Sequence, residues 1–163
     1  MKIIFLDIDG VLNSFEKLTD PEATKKNKWN PTLLQRFGIN LEVFPEHVKR
    51  LNKITKATDA KLVMSTSWRI GDLEWWAELV ILLHNSGVKG FILGRTPNGR
   101  YKNRGNEIRA WLKEHRDENI ESFIILDDDG DMGDYMDHLI QTDHQKGLQD
   151  EHVKKAIEML NGV

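Results

Sequence analysis

The chain has 163 residues, 39% hydrophobic and 30% charged, with a net charge of −3 and no cysteine. That suits one domain spanning 1–163, large enough to bury about two thirds of its unfolded surface, and five Trp with six Phe in regular apolar runs exclude bulk disorder. Disulfides, thiolate metal sites and a Cys nucleophile are excluded, and no apolar stretch approaches the ~20 residues of a membrane span.

Acids break the apolar run of MKIIFLDIDG after Leu6, so the start is not a signal peptide and a cytoplasmic setting is expected, with no membrane and no obligate protein partner. Lys2–Asp7 reads as a buried strand, a short apolar run ending in an acid. Residues 13–44 read as an irregular flap or small insert, interrupted by Pro21 and Pro31. Glu46–Thr58 has the helical period, with Val48, Leu51 and Ile54 on one face. Lys61–Met64 is a second strand. Asp72–Asn85 is a helix rich in Trp and Leu, stopped near Ser86 and Gly87. Gly90–Leu93 is a third strand, ended by Gly94. Asn103–Glu114 is a helix with Ile108, Trp111 and Leu112 facing inward. Phe123–Leu126 and Leu139–Thr142 are the fourth and fifth strands. Asp150–Leu160 is a helix capped by Asp150 and stopped by Gly162.

Strands spaced by helices predict an α/β, Rossmann-like, mostly parallel five-stranded sheet with helices on both faces. The charges are unevenly spread along it. Residues 95–116 hold seven basic residues against Glu107 and Glu114, and residues 127–137 hold six Asp and no base. Solvated faces of opposite sign account for most such runs.

Ligands of open α/β sheets bind at the carboxyl ends of the strands. KIIFL is followed by Asp7-Ile8-Asp9-Gly10, KLVM by Ser65-Thr66-Ser67-Trp68-Arg69, and FIIL by Asp127-Asp128-Asp129. Lys102-Asn103-Arg104-Gly105, after the third strand, opens a helix that can reach the same edge. Carboxylates converging from two strands need neutralising. Magnesium does this with oxygen ligands and substrate phosphate, and a hydroxyl and a cation suit phosphate oxygens. These are the parts of a phosphoryl-transfer site. Asp7 can attack phosphorus. Asp9, two residues on, can exchange protons with the leaving oxygen and with water. Gly10 permits a sharp turn and close approach to ligand. As an isolated tetrapeptide, DIDG is no more than a strand end with a polar turn.

In the combination Asp7-Ile8-Asp9-Gly10-Val11-Leu12-Asn13, Ser65, Arg104 and Asp127-Asp128, the chain resembles the haloacid dehalogenase (HAD) superfamily of aspartate-nucleophile phosphohydrolases. The four motifs stand in family order. The resemblance implies an HAD-like fold with a minimal cap or none, and an aspartyl-phosphate formed on Asp7. It further implies Asp9 as general acid/base and, through its carbonyl, a Mg2+ ligand. Ser65 corresponds to the hydroxyl that binds a phosphoryl oxygen, and Arg104 to the cation of motif three, with Lys102 the alternative. Asp127 and Asp128 correspond to the acids that hold Mg2+ together with Asp7, and Asp131 leaves the register of this motif open.

Within the superfamily, the stretches around Ser65–Arg69, Arg104–Leu112 and Leu126–Asp129 resemble the HAD domain of RNA-repair proteins and the phosphatase half of polynucleotide kinase–phosphatase. That kinship implies a phosphate role for Arg69, and Thr66, Trp68 and Lys102 join the expected substrate-binding set. Phe15, Trp29, Phe37 and Trp68 are candidate stacking surfaces, although most such rings are core. No kinase P-loop occurs.

The expected function is therefore that of a Mg2+-dependent phosphomonoesterase acting on a large or extended substrate such as a polynucleotide end. A nucleotide or small-metabolite phosphatase is the rival enzyme, and a receiver-like phospho-acceptor signalling domain the rival of another class.

Overall fold

The computed structural model describes residues 1–26, 41–98 and 103–162. The sheet contains β1 (Lys2–Leu6), β2 (Lys61–Met64), β3 (Ile92–Arg95), β4 (Ser122–Asp127) and β5 (Leu139–Gln141). All pairings are parallel, in the order β3-β2-β1-β4-β5. β1 lies at the centre because Ile3, Ile4, Phe5 and Leu6 are apolar to both sides, as a strand covered on both faces must be.

The helices are α1 (Phe15–Leu18), α2 (Pro21–Lys26), α3 (Pro45–Thr58), α4 (Leu73–Asn85), α5 (Arg104–Glu114) and α6 (Asp150–Asn161). On one sheet face, Ile4, Leu6, Leu62, Met64, Ile124 and Leu126 meet Leu51 and Ile54 of α3, Leu79 and Leu83 of α4 and Ala156 and Leu160 of α6. On the other, Phe5, Val63 and Ile125 meet Ile108 and Trp111 of α5. Phe5 stands edge-on to Trp111 at 5.4 Å and to Phe123 at 5.7 Å between ring centres. Each buried Leu, Ile, Val, Met or Phe side chain here contributes about 1.5–3 kcal/mol. No helix among the described residues is long and apolar enough to cross a membrane.

Local signals start and stop the helices that matter here. The Asp72 side chain accepts from Trp75 N at 2.9 Å to open α4, and Asn103 accepts from Asn106 N at 2.9 Å to open α5. Asp59, in the left-handed region at φ 53°, closes α3.

Three details differ from the sequence reading. β3 begins two residues later than expected, and Gly94 lies inside it, paired with Val63. The register shifts between Leu62 and Val63, so Phe91 only leads in, its carbonyl accepting from Leu62 N at 2.8 Å. The N-cap of α6 is Gln149 rather than Asp150, because Gln149 and His152 bond each other's backbone N–H in a capping box. The 13–44 segment carries two short helices, α1 and α2. Its residues 27–40, with the expected stacking candidates Trp29 and Phe37, lie outside the described residues.

Candidate active site at the carboxyl edge of the sheet

Parallel register delivers the site. Leu6 is level with Met64 of β2 and Leu126 of β4, so Asp7, Ser65 and Asp127 reach one edge together. Backbone bonds hold them level: Asp7 N donates to Leu126 O at 2.9 Å and Ser65 N to Leu6 O at 2.8 Å. Asp128 follows directly, and Gly10 lets it close in. A Cβ on Gly10 would stand 2.4 Å from Asp128 Cγ, and φ is +66° there.

Asp7, Asp127 and Asp128 each present a carboxylate oxygen within 4.8 Å of the others. Asp127 is fully buried. Burial, then the charge of Asp7, pushes its carboxyl up to about 7 against the opposing pull of Arg104. Burial also raises Asp7, opposed by Arg104, the Thr66 hydroxyl and the N–H of Ile8, which lies 2.6 Å from Asp7 Oδ1. Arg104 is the cation among them, with one Nη 3.2 Å from Asp7 Oδ2 and its Nε 3.4 Å from Asp127 Oδ2. That second contact is an ion pair without hydrogen-bond geometry, so Asp127 Oδ2 is buried with no hydrogen-bond donor. A carboxylate oxygen left so, beside two further carboxylates and the Arg104 guanidinium, fits a divalent cation with oxygen ligands. Asp7, Asp127 and Asp128 could hold one.

Arg104 reaches this edge because α5 starts close against the chain after β4. A Cβ on Gly105 would lie 2.1 Å from the Met132 carbonyl oxygen. Ser65 Oγ is also buried without a partner. Such a hydroxyl costs stability unless something accepts from it or donates to it, so it is open to a phosphoryl oxygen.

Asp9 stands outside the acid cluster. Its Oδ1 accepts from Asn13 Nδ2 at 2.8 Å and its Oδ2 from Trp68 Nε1 at 2.7 Å. Thr66 is buried and caps the short 3-10 turn Ser67–Arg69, accepting from Trp68 N. The Arg69 side chain turns inward at 2% exposure. It donates to the carbonyls of Thr66 (2.5 Å), Thr96 (3.1 Å) and Pro97 (3.2 Å) and pairs with Glu107 at 2.7 Å. Lys102 lies outside the described residues.

Sequence reading missed several participants. Asn13 holds Asp9 while its Oδ1 accepts from Gly10 N at 3.0 Å. His144 Nδ1 lies 2.9 Å from Asp128 Oδ2, and the Thr142 hydroxyl donates to Gly10 O at 2.7 Å. Asn13 closes motif one and Thr142 follows β5, so their positions were suggestive, but nothing local marks Glu107 or His144.

Of the basic run, Arg95 lies over the Trp76 ring and donates to Arg69 O at 2.7 Å, and Arg109 pairs with Asp134. Cavity size does not locate the site. A cavity of about 540 Å³ lined by Lys49, Lys53, Lys56, Lys61 and Lys89 lies at the opposite, amino edge of β2 and β3. The cleft beside Arg104, with Ser67, Arg69, Asn103 and Asp131, is only about 260 Å³. Donor chemistry marks the carboxyl edge instead.

The sequence model of a family described as the HAD domain in Swiss Army Knife RNA repair proteins matches residues 3–153. No curated protein matches the chain.

Proposed function

Since the chain belongs to the HAD domain family of Swiss Army Knife RNA repair proteins, a family of phosphatase type, we propose that it is a magnesium-dependent phosphomonoesterase acting on polynucleotide ends. The observation that carries this is the cluster of Asp7, Asp127 and Asp128 with Arg104 against it.

Asp7 attacks the phosphorus of a monoester in line with the leaving oxygen. The P–O bond to the leaving group breaks, and an aspartyl-phosphate forms on Asp7. Asp9 gives its proton to the leaving alcohol. It then takes a proton from water, whose oxygen attacks the phosphorus, releasing inorganic phosphate and restoring Asp7. Ser65 donates its unpartnered hydroxyl to a phosphoryl oxygen. Arg104 steadies Asp7 and the equatorial oxygens. Thr66 fixes Asp7 by its hydroxyl, and Arg69 serves the phosphate pocket by pinning the loop after β2. Lys102 remains a second cation for the substrate backbone. Bound Mg2+, held by Asp7, Asp127, Asp128 and the Asp9 carbonyl, would supply charge neutralisation between the acids and the phosphate.

The family description supports a nucleic-acid substrate. So do an edge where Asp9 and Asp128 stay partly open and an exposed Phe15 whose ring lies 6.4 Å from that of His144.

Steady-state phosphate release tests the reading, with 3′-phosphorylated oligonucleotide, 5′-phosphorylated oligonucleotide and free nucleotides compared with and without Mg2+. Turnover that requires Mg2+ and vanishes in Asp7→Asn and Asp9→Asn is expected, with an oligonucleotide preferred. A single stoichiometric phosphorylation without turnover would establish a receiver-like role instead. Preference for free nucleotides would overturn the substrate assignment alone.

A further inference from the structure

Trp68 is a candidate stacking surface from the sequence, and its indole N–H is engaged by a carboxylate of the site. We propose that Trp68 is the positioning residue of Asp9: its N–H, together with the Asn13 amide, fixes the carboxylate in the one orientation from which it exchanges protons. This rests on the phosphatase reading, in which Asp9 is the acid/base.

A carboxylate held by one donor can still turn about its Cβ–Cγ bond. Asp9 is held by two donors on different oxygens, Trp68 on Oδ2 at 2.7 Å and Asn13 on Oδ1 at 2.8 Å, so that rotation is stopped. Each oxygen keeps a free lone pair, since an ionised carboxylate offers about four acceptor sites and two are used. The proton can therefore be carried without breaking either anchor.

The anchors are themselves fixed. Asn13 is buried, and its other amide atom accepts from Gly10 N. The Trp68 carbonyl accepts from Trp75 Nε1 at 2.6 Å, and its backbone N–H bonds Thr66 Oγ1 at 3.3 Å. The next residue, Arg69, is tied by its side chain to three carbonyls and to Glu107, and its own carbonyl accepts from Arg95. A ring needed only for packing would not require so rigid a mount nor aim its single polar atom at Asp9. Preorganisation of this kind matters because misplacing a reacting group by about 1 Å costs roughly 100-fold in rate.

The test is Trp68→Phe, which keeps a ring and deletes the N–H. An alkyl phosphate needs a proton on its leaving oxygen, whereas an activated aryl phosphate does not. We expect kcat on the alkyl ester to fall about 10- to 100-fold with KM within about twofold. On the aryl ester, a burst of one phenolate per protein should precede slow turnover, because water attack on the aspartyl-phosphate still needs the base. In an Asp9→Asn background, Trp68→Phe should cost no further rate in single-turnover release of phenolate. Loss of the phenolate burst on the aryl ester, a rise in KM alone, or a further loss in the Asp9→Asn background would overturn the assignment in favour of packing or substrate stacking.

A second measurement does not need the Phe variant to fold. Of the five indole N–H resonances, one should move when Asp9 is changed to Asn, and five unmoved resonances would also refute the contact. Failure of the phosphatase reading looks different: the wild-type protein would show no turnover, or Asp7→Asn would retain it.

Discussion

The buried carboxylate Asp127 makes the stability of the metal-free protein depend on pH in an unusual sense. Its pKa stands at about 7 in the folded chain against the ordinary 3.8. Between these values the folded state binds more protons than the unfolded one, so stability falls as pH rises. The full benefit is present below about pH 4 and is lost as pH climbs through 7. At 1.36 kcal/mol for each tenfold change, the rise corresponds to up to about 4 kcal/mol. Raised Asp7 acts in the same sense, while His47 and His152, whose burial lowers their pKa, act in the opposite one. The comparison that isolates Asp127 is therefore wild type against Asp127→Asn, unfolded by urea in chelator at pH 4.5 to 8. The wild-type curve should drop relative to the variant by about 3 kcal/mol over that range, the part of the change that lies above pH 4.5. On the proposed reading, in which Mg2+ is held by the ionised acids, added Mg2+ should reverse the drop, stabilising more at pH 8 than at pH 5; at one hundred times its Kd it would add about 2.7 kcal/mol. Parallel curves for the two proteins, or equal stabilisation by Mg2+ at both pH values, would refute this account of the acid cluster.

Four further substitutions probe the scaffold. Gly10→Ala forces a left-handed alanine at about 1–2 kcal/mol and drives a methyl into Asp128, so calorimetry should show divalent affinity falling at least about tenfold. Gly105→Ala cannot be accommodated against the Met132 carbonyl. It should cost about 3 kcal/mol in urea unfolding and lower activity by displacing Arg104. Glu107→Gln leaves the Arg69 guanidinium buried without its countercharge, an expected loss of about 3 kcal/mol in thermal or urea unfolding. Phe5→Ala removes a fully buried ring that meets Trp111 and Phe123 and should cost about 3–5 kcal/mol, read by the same melts.

What the sequence revealed, and what it hid, divides by range. Apolar runs and caps are local, so four of the five strands and the helices α3 to α6 were legible to within a residue or so at each end. The acids at the ends of β1 and β4 were equally visible, because in a parallel sheet whatever follows a buried run must emerge at the carboxyl edge. β3 was misjudged because an edge strand with a register shift tolerates Gly94 inside it, where glycine ordinarily reads as a stop. The cap of α6 was misjudged because Gln149 and Asp150 are both credible caps, and only the reciprocal bond to His152 decides between them. The bond from Trp68 to Asp9 was hidden because the two lie 59 residues apart. Glu107 was invisible for the same reason: whether a helix glutamate faces solvent or a buried arginine depends on how α5 docks, which no local pattern encodes.

Those hidden contacts explain why the site can be rigid although its parts come from separate segments. The first turn of α5 supplies Arg104 to Asp7 and Asp127, and one turn later the same helix supplies Glu107 to Arg69. Arg69 adjoins Trp68, which holds Asp9. Any shift of α5 along the sheet would therefore move the cation on Asp7, the proposed nucleophile, and the loop that holds Asp9, the proposed acid/base, together. An ion pair as buried as Arg69–Glu107 is no efficient source of net stability, since desolvation offsets most of its attraction. Its value lies in geometry: the guanidinium has fixed directions, and with three carbonyls and a carboxylate on it, only one placement of the loop against the helix satisfies them all. The two halves of the proposed reaction, attack by Asp7 and proton exchange by Asp9, are thus set by one rigid unit rather than by two independent loops.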